Sequence, residues 1–138
     1  MENPWKKAAT LQEASEKSGL LFPLNINFFL PAGMTEDSVY YMNGLVEACY
    51  RRGSDTLTLR KSARSLPRIS GDYHIYPDIY DLRHKGVILH CRGTRERINT
   101  MEFDSFNACC SICFNPGKPG TGLPQEQAAA IVDGMLQL

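Results

Sequence analysis

The sequence predicts an α+β fold: a curved, mostly antiparallel sheet with a short N-terminal helix and a C-terminal helix packed on it. Three observations support this class. Runs of β-forming residues separated by turn signals occupy the chain from residue 38 to residue 114. Amphipathic helical spacing occurs near each end of the chain. An order of helix, many strands and helix is typical of α+β proteins, whereas alternating strands and helices would indicate a parallel sheet.

The N-terminal helix is predicted over residues 10–18. Thr10 and Glu13 have the spacing of a capping box, in which the hydroxyl and the carboxylate bond free amides of the first turn. Gly19 follows at the position where a residue in the left-handed conformation ends many helices.

The first strands are predicted around Asn43-Gly44, which is a strong signal for a two-residue hairpin. They form a three-stranded antiparallel meander with the ranges 38–43, 45–51 and 56–60. In the middle strand, alternation turns Val46, Ala48 and Tyr50 to one face, which we expect to be the core face.

Four more strands are predicted as two hairpins, 79–83 with 87–91 and 98–103 with 108–114. The sheet is therefore expected to contain about six or seven strands. The C-terminal helix begins at Pro124, since proline is tolerated in a first turn. Its apolar stripe, which should pack against the sheet, recurs at helical spacing and consists of Ala128, Ile131, Val132 and Met135.

Residues 117–122 form a glycine-rich loop between the last strand and this helix, a setting in which backbone amides can hold phosphate. The Walker spacing is absent, and Pro119 and Pro124 each remove an amide donor. We therefore interpret the loop as a connector.

Length and composition predict a single domain over residues 1–138. Fifteen basic and fifteen acidic residues cancel, which removes the global electrostatic argument for nucleic-acid binding. The N-terminus has no apolar leader, and the longest apolar stretch, 20–31, is too short to span a bilayer. We therefore expect a cytoplasmic protein with no membrane segment in this sequence.

The five cysteines are expected to be free thiols, because a chain without an export signal stays in a reducing compartment. Strand alternation turns Cys110 away from Cys109 and Cys113. The latter two lie roughly 13 Å apart along the strand, whereas a disulfide needs Cα atoms within about 7 Å. No metal site or cofactor is predicted. A cross-strand disulfide and redox or metal chemistry stay open as alternatives.

The three histidines differ in their expected surroundings. His84 lies in a predicted hairpin turn, where exposure to solvent is expected. His90 faces away from its neighbour Cys91 in a strand, which excludes a dyad built from that pair. His74 follows the central turn and is the candidate general base.

The stretch 56–76 is the candidate functional region, because it runs from a strand through a basic loop into the turn Ile69–Tyr73. Arginines with interleaved aromatic residues can bind an anionic ligand, a nucleic-acid strand or an acidic partner. A solvated strand end balanced by nearby aspartates is the alternative. In the turn, we expect Gly71 to have a positive φ and Asp72 to bond the turn backbone. The candidate binding residues are Arg60, Lys61, Arg64, Arg68, Asp72, Tyr73, His74 and Tyr76.

Four features in this order suggest a family: Asn3-Pro4-Trp5 before the first helix, a segment flanked by Pro23 and Pro31, Arg60-Lys61 leading into Ile69–Tyr73, and Gly122-Leu123 before the last helix. With them the chain resembles a small family of Gram-positive bacterial proteins, catalogued as a domain of unknown function. Its members occur alone or as the outer part of membrane-anchored, anti-sigma-like proteins. The chain departs from the pattern at Pro124, where serine is usual, and at Cys109-Cys110, where aromatic residues and serines are more usual. The resemblance implies a fold and supplies no catalytic residues.

The sequence therefore predicts a binding or protein-interaction module rather than an enzyme, acting through the basic loop 60–68 and the turn 69–76. No nucleophile–base pair, paired acids or phosphate loop stands out in the sequence. The alternative is a small enzyme that acts on an anionic substrate with His74 as general base. No specific nucleic acid is predicted as a partner.

Overall fold

The computed structural model describes residues 4–64, 66, 68–105, 108–117 and 122–137. It contains two α-helices, α1 (Leu11–Ser18) and α2 (Gln125–Met135), and a short 3₁₀ helix over Ile26–Phe29. Nine strands form one sheet: β1 (Lys6–Ala8), β2 (Thr35–Met42), β3 (Leu45–Arg52), β4 (Asp55–Ser62), β5 (Asp78–His84), β6 (Val87–Gly93), β7 (Arg97–Ser105), β8 (Ala108–Asn115) and β9 (Leu123–Pro124).

The strands are ordered β1-β2-β3-β4-β8-β7-β6-β5, and β9 pairs with the beginning of β7. Every neighbouring pair is antiparallel. The predicted antiparallel α+β architecture is confirmed. The expected count of six or seven strands is wrong, because β1 and β9 contain three and two residues and are too short to show an alternating pattern.

Helix α1 begins and ends as predicted. The Thr10 hydroxyl accepts a hydrogen bond from the Glu13 amide at 3.1 Å, and the Glu13 carboxylate accepts one from the Ala9 amide at 2.9 Å. Gly19 ends the helix in the left-handed conformation, with a φ of 74°. These bonds satisfy amides that the first turn of a helix leaves free.

Helix α2 buries the predicted stripe of Ala128, Ile131, Val132 and Met135. Gly134 lies against the 3₁₀ helix, and a Cβ atom at this position would meet Ile26 Cδ1 at 2.6 Å. Glycine is therefore what permits this close approach. Among the described residues, no helix is long and apolar enough to cross a membrane.

The two faces of the sheet differ in chemistry. Residues paired across strands share a face, so the register groups Ala48 with Leu59, Ile112 and Met101. These side chains and the predicted core residues Val46 and Tyr50 are buried in one cluster together with Ala14 of α1 and Ala128 of α2. We call this side the helix face.

The described part of the connection from β4 to β5 crosses the opposite side of the sheet, over β8, β7 and β6. The described residues 68–77 of this connection, which we call the crossover segment, reach β7 and β6 through bonds to Glu102 and Arg92. We call the side that they cover the crossover face. Below them the register aligns Arg92, Thr100 and Cys113, a row of polar side chains across three strands.

Candidate functional site

Asp72 is the centre of the polar interior below the crossover segment. Its side chain is only 3% exposed. The carboxylate accepts hydrogen bonds from the hydroxyls of Thr100 and Tyr76, the latter at 2.5 Å. It also accepts bonds from the His74 amide at 3.1 Å and from the His74 ring Nδ1 at 2.6 Å. A buried carboxylate with this many donors fixes the path of the backbone that carries it.

Arg92 holds the same segment from below through its guanidinium group. Nη1 donates to the Asp72 carbonyl oxygen at 2.8 Å, and Nη2 donates to Ser70 Oγ at 3.3 Å. The charge of Arg92 is balanced by Glu102 at 3.3 Å, and Glu102 in turn accepts a bond from the Ser70 amide. Gly71 turns the chain between these anchors with the predicted positive φ, 70°. Ser70 and Asp72, on either side of Gly71, are thereby anchored to the sheet.

Burial and these hydrogen bonds also shift the pKa values of Asp72 and Tyr76. Burial opposes ionisation of the Asp72 carboxyl, but the bonds from Thr100, Tyr76 and His74 outweigh it and hold its pKa well below the usual range. Burial, followed by the hydrogen bond to Asp72, raises the pKa of Tyr76 to about 12. At neutral pH the pair is therefore a carboxylate and a neutral phenol.

Above this interior, three consecutive side chains point to solvent. Tyr73 is 72% exposed, Ile75 is 98% exposed, and the His74 side chain is 76% exposed. Arg68 also lies at the surface, with its guanidinium 5.6 Å from the centre of the Tyr73 ring. A strongly exposed isoleucine in an anchored backbone is unusual, because large apolar residues are ordinarily buried.

His74 forms an aspartate–histidine pair with Asp72. The carboxylate binds Nδ1, so Nε2 is the ring nitrogen left for another partner. The carboxylate holds the imidazole ring in one orientation, as is required of a histidine that acts as a general base. His74 does not line the cavity beside the first half of α2, the one beside α1 or the one beside Arg68 and His90.

The predicted basic residues do not form one patch. Arg60 lies on the crossover face, pairs with Glu47 at 2.7 Å and donates to the Ile69 carbonyl oxygen at 3.0 Å. Lys61 points to the helix face, is only 5% exposed and donates to the Leu21 carbonyl oxygen at 2.6 Å. Burial lowers the pKa of Lys61. Arg64 is exposed.

The structure thus brings together Arg68, Asp72, Tyr73, His74 and Tyr76 of the predicted set. It separates Lys61 from them, on the other side of the sheet. The side chains that sequence reasoning missed are those below the crossover segment: Ser70, Arg92, Thr100, Glu102 and Cys113. The signal for three of them was present, because polar residues alternate with buried apolar ones in β6 and β7.

The five cysteines are free thiols, and all but Cys49 are buried. Alternation is as predicted, with Cys110 on the helix face and Cys109 and Cys113 on the crossover face. Burial raises the pKa of Cys110 and of Cys91 to about 12, and burial together with the Asp72 charge raises that of Cys113 to about 11. In the described part of the chain, no group of three or more histidine, cysteine or acidic side chains could hold a metal ion.

Two further predictions concern residues outside the crossover segment. His84 is not a solvated turn residue: its Nε2 lies 2.8 Å from Asp133 of α2, and its side chain is 26% exposed. The glycine-rich loop falls largely on residues 118–121, which lie outside the described residues. The Gly117 amide, just before them, donates to the Asp55 carboxylate at 2.9 Å.

No protein-family model, curated protein or solved structure matches this chain. The resemblance to the Gram-positive family of unknown function therefore stays a prediction.

Proposed function

We propose that this protein is a protein-interaction module whose binding surface is the exposed segment Tyr73–Ile75. The observation that carries the proposal is the contrast within four residues: a side chain 3% exposed at Asp72 is followed, three positions later, by an isoleucine 98% exposed. Apolar side chains presented on a fixed backbone favour binding, because little conformational freedom is lost when a partner covers them.

The surroundings of the segment indicate the chemistry of the partner. Ile75 and Tyr73 supply apolar area, and aromatic residues are enriched at the energetic centres of interfaces. Arg68 is the exposed cation whose guanidinium lies over the Tyr73 ring. The partner is therefore a protein with an apolar pocket for Ile75 and acidic residues near the pocket's edge.

The test is affinity capture with the purified protein as bait, followed by titration of the captured protein in purified form. Ile75→Asp should abolish capture, because it introduces a charge at the centre of the interface. Arg68→Gln should weaken binding by about tenfold at low salt and by less at high salt.

Phe28→Asp is the matched control, since Phe28 is 82% exposed and lies in the 3₁₀ helix that packs on α2. It should retain the partner. Equal loss in both variants, or no loss in Ile75→Asp, would contradict the proposal. Circular dichroism of each variant checks that the fold is retained.

A second candidate function is supported by the distance of 2.6 Å between Asp72 and His74 Nδ1. In this function, His74 is the general base of a small enzyme acting on an anionic substrate that Arg68 binds. A panel of anionic phosphate and carboxylate esters tests it: turnover should fall by at least about a hundredfold in His74→Gln. Equal turnover rates in the wild type and in His74→Gln would contradict this second candidate function.

A further inference from the structure

The largest described cavity, about 720 Å³, opens on the helix face at the far end of the sheet from α1. It lies between the β5–β6 hairpin, the turn before β7 and the first half of α2. Small-molecule sites have volumes of about 300–1,000 Å³, with mostly apolar walls and few polar groups. The cavity shares no lining residue with the crossover segment, so the inference drawn from it is independent of the interaction surface proposed above.

One part of the cavity wall is apolar, and the polar side chains of His84 and Gln125 line another part. Leu82 pairs with Leu89 across β5 and β6, and Met101 follows on the same face in β7. Ala129 of α2 closes the opposite side. Methionine adapts its shape to different ligands, so these walls fit the hydrocarbon part of a small molecule.

The rim carries opposite charges with an excess of arginine. Arg83, Arg95 and Arg97 line the cavity, against Glu96 and Glu126. Within the described part of the chain, none of these five side chains takes part in an ion pair.

Two of the arginines reach the cavity from the turn before β7 and from the start of that strand. Arg97, the first residue of β7, pairs with Pro124 of β9, and both residues line the cavity. The Arg95 guanidinium lies 4.6 Å from the centre of the Tyr80 ring, which pairs across β6 and β7 with Cys91 and Met101. A guanidinium group held over an aromatic ring is ready for a bidentate bond to a carboxylate.

We propose that this cavity binds an apolar monocarboxylate, with the hydrocarbon against Leu82, Leu89 and Met101 and the carboxylate on Arg95 and Arg97. A dianion such as a phosphate monoester fits less well, because Glu96 and Glu126 border the same rim and repel the second charge. An uncharged molecule would leave the arginines without an anion.

The experiment uses methyl-resolved NMR titration of the wild-type protein with octanoate and 2-naphthoate, which distinguish an aliphatic from an aromatic ligand. At least one of the two acids should shift the methyl signals of Leu82, Leu89, Met101 and Ala129, and these shifts should reach a plateau as the ligand concentration rises. Octyl phosphate and 1-octanol, which keep the chain and change the charge, should bind at least about tenfold more weakly. No saturable shift with either acid overturns the proposal, as does tighter binding of octyl phosphate or equal binding of 1-octanol.

Two pairs of variants localise the site. Ala129→Phe fills the cavity and should abolish binding, whereas Ala130→Phe, on the neighbouring position of α2 outside the cavity lining, should retain it. Arg97→Gln should weaken carboxylate binding by about tenfold. Arg51→Gln should leave carboxylate binding unchanged, because Arg51 is an exposed residue of the distant strand β3 that pairs with Asp37. Binding that survives in both Ala129→Phe and Arg97→Gln places the ligand elsewhere and overturns the proposal.

Discussion

The helix face and the crossover face of this sheet bury their side chains in different ways. On the helix face, Leu59 and Ile112 lie among apolar side chains of β-strands and helices. On the crossover face, the position next to each of them is polar: Arg60 bonds the Glu47 carboxylate, and Ser111 pairs with Arg60 across β4 and β8. The stability gained on the helix face depends on how completely apolar side chains fill the available volume. On the crossover face it depends on whether each buried polar atom has a hydrogen-bond partner.

This difference has a consequence for function. An apolar interior tolerates small shifts of side chains, but a network of directed hydrogen bonds defines one conformation of the backbone above it. The crossover segment is held by such a network, and it is there that Tyr73 and Ile75 are exposed. The comparison predicts that changes to the helix face lower global stability, whereas changes to the crossover face also alter the presented segment.

The largest effect is expected on the helix face. Ile112 is 2% exposed at the centre of the sheet, between β4 and β7. Ile112→Ala should lower the free energy of unfolding by about 4 kcal/mol, because it loses apolar burial and leaves a cavity. Urea unfolding measures this value. A loss below about 1 kcal/mol would mean that the helix face is loosely packed.

The next effect concerns the centre of the crossover face. Asp72→Asn keeps the shape of the side chain but removes the charge that accepts bonds from Thr100, Tyr76 and His74. We expect a loss of about 2–3 kcal/mol in the free energy of unfolding, the value of bonds to a charged group. We also expect loss of the captured partner, since the segment that follows is no longer fixed. Ile112→Ala, once folded, should keep the partner.

The pH dependence of stability sharpens this prediction. The pKa of Asp72 is lower in the folded protein than the value of about 3.9 in an unfolded chain. Below about pH 4 the unfolded chain therefore takes up the proton first, and the free energy of unfolding falls as the pH decreases. The variant should lack this part of the acid dependence, so wild type and Asp72→Asn converge in stability below pH 4. Parallel curves would contradict the assignment.

The same contrast explains how much the sequence predicts. Patterns of period two predict the seven longer strands and the apolar residues of the helix face, and the capping residues Thr10 and Gly19 predict the limits of α1. The sequence predicts a turn in the crossover segment, but it does not predict that this segment covers β6–β8. The bonds of Asp72 to Arg92 and Thr100 join residues that are 20 and 28 positions apart in the chain. Strand order, which brings Lys61 under Leu21 rather than into a basic patch, is likewise a non-local property.

A smaller effect is expected at alkaline pH from Cys113, which lies beside Asp72 on the crossover face. Its pKa is raised to about 11 in the folded protein, against about 8.5 in an unfolded chain. Above about pH 8.5 the unfolded chain alone loses this proton, so stability falls as the pH rises. Cys113→Ser should reduce the loss between pH 8.5 and pH 10 by about 1–2 kcal/mol. Urea unfolding under reducing conditions at both pH values measures it, and an unchanged loss would contradict the prediction.

The smallest effect has the opposite sign. Ser111 neighbours Ile112 in β8 but faces the crossover side, and its Oγ is buried without a hydrogen-bond partner among the described residues. A buried hydroxyl that makes no bond costs free energy. Ser111→Ala should therefore leave stability unchanged or raise it by up to about 1 kcal/mol, as measured by urea unfolding beside Ile112→Ala. A loss of more than about 1 kcal/mol would mean that the hydroxyl has a partner, and that the polar face is more completely bonded than its described contacts indicate.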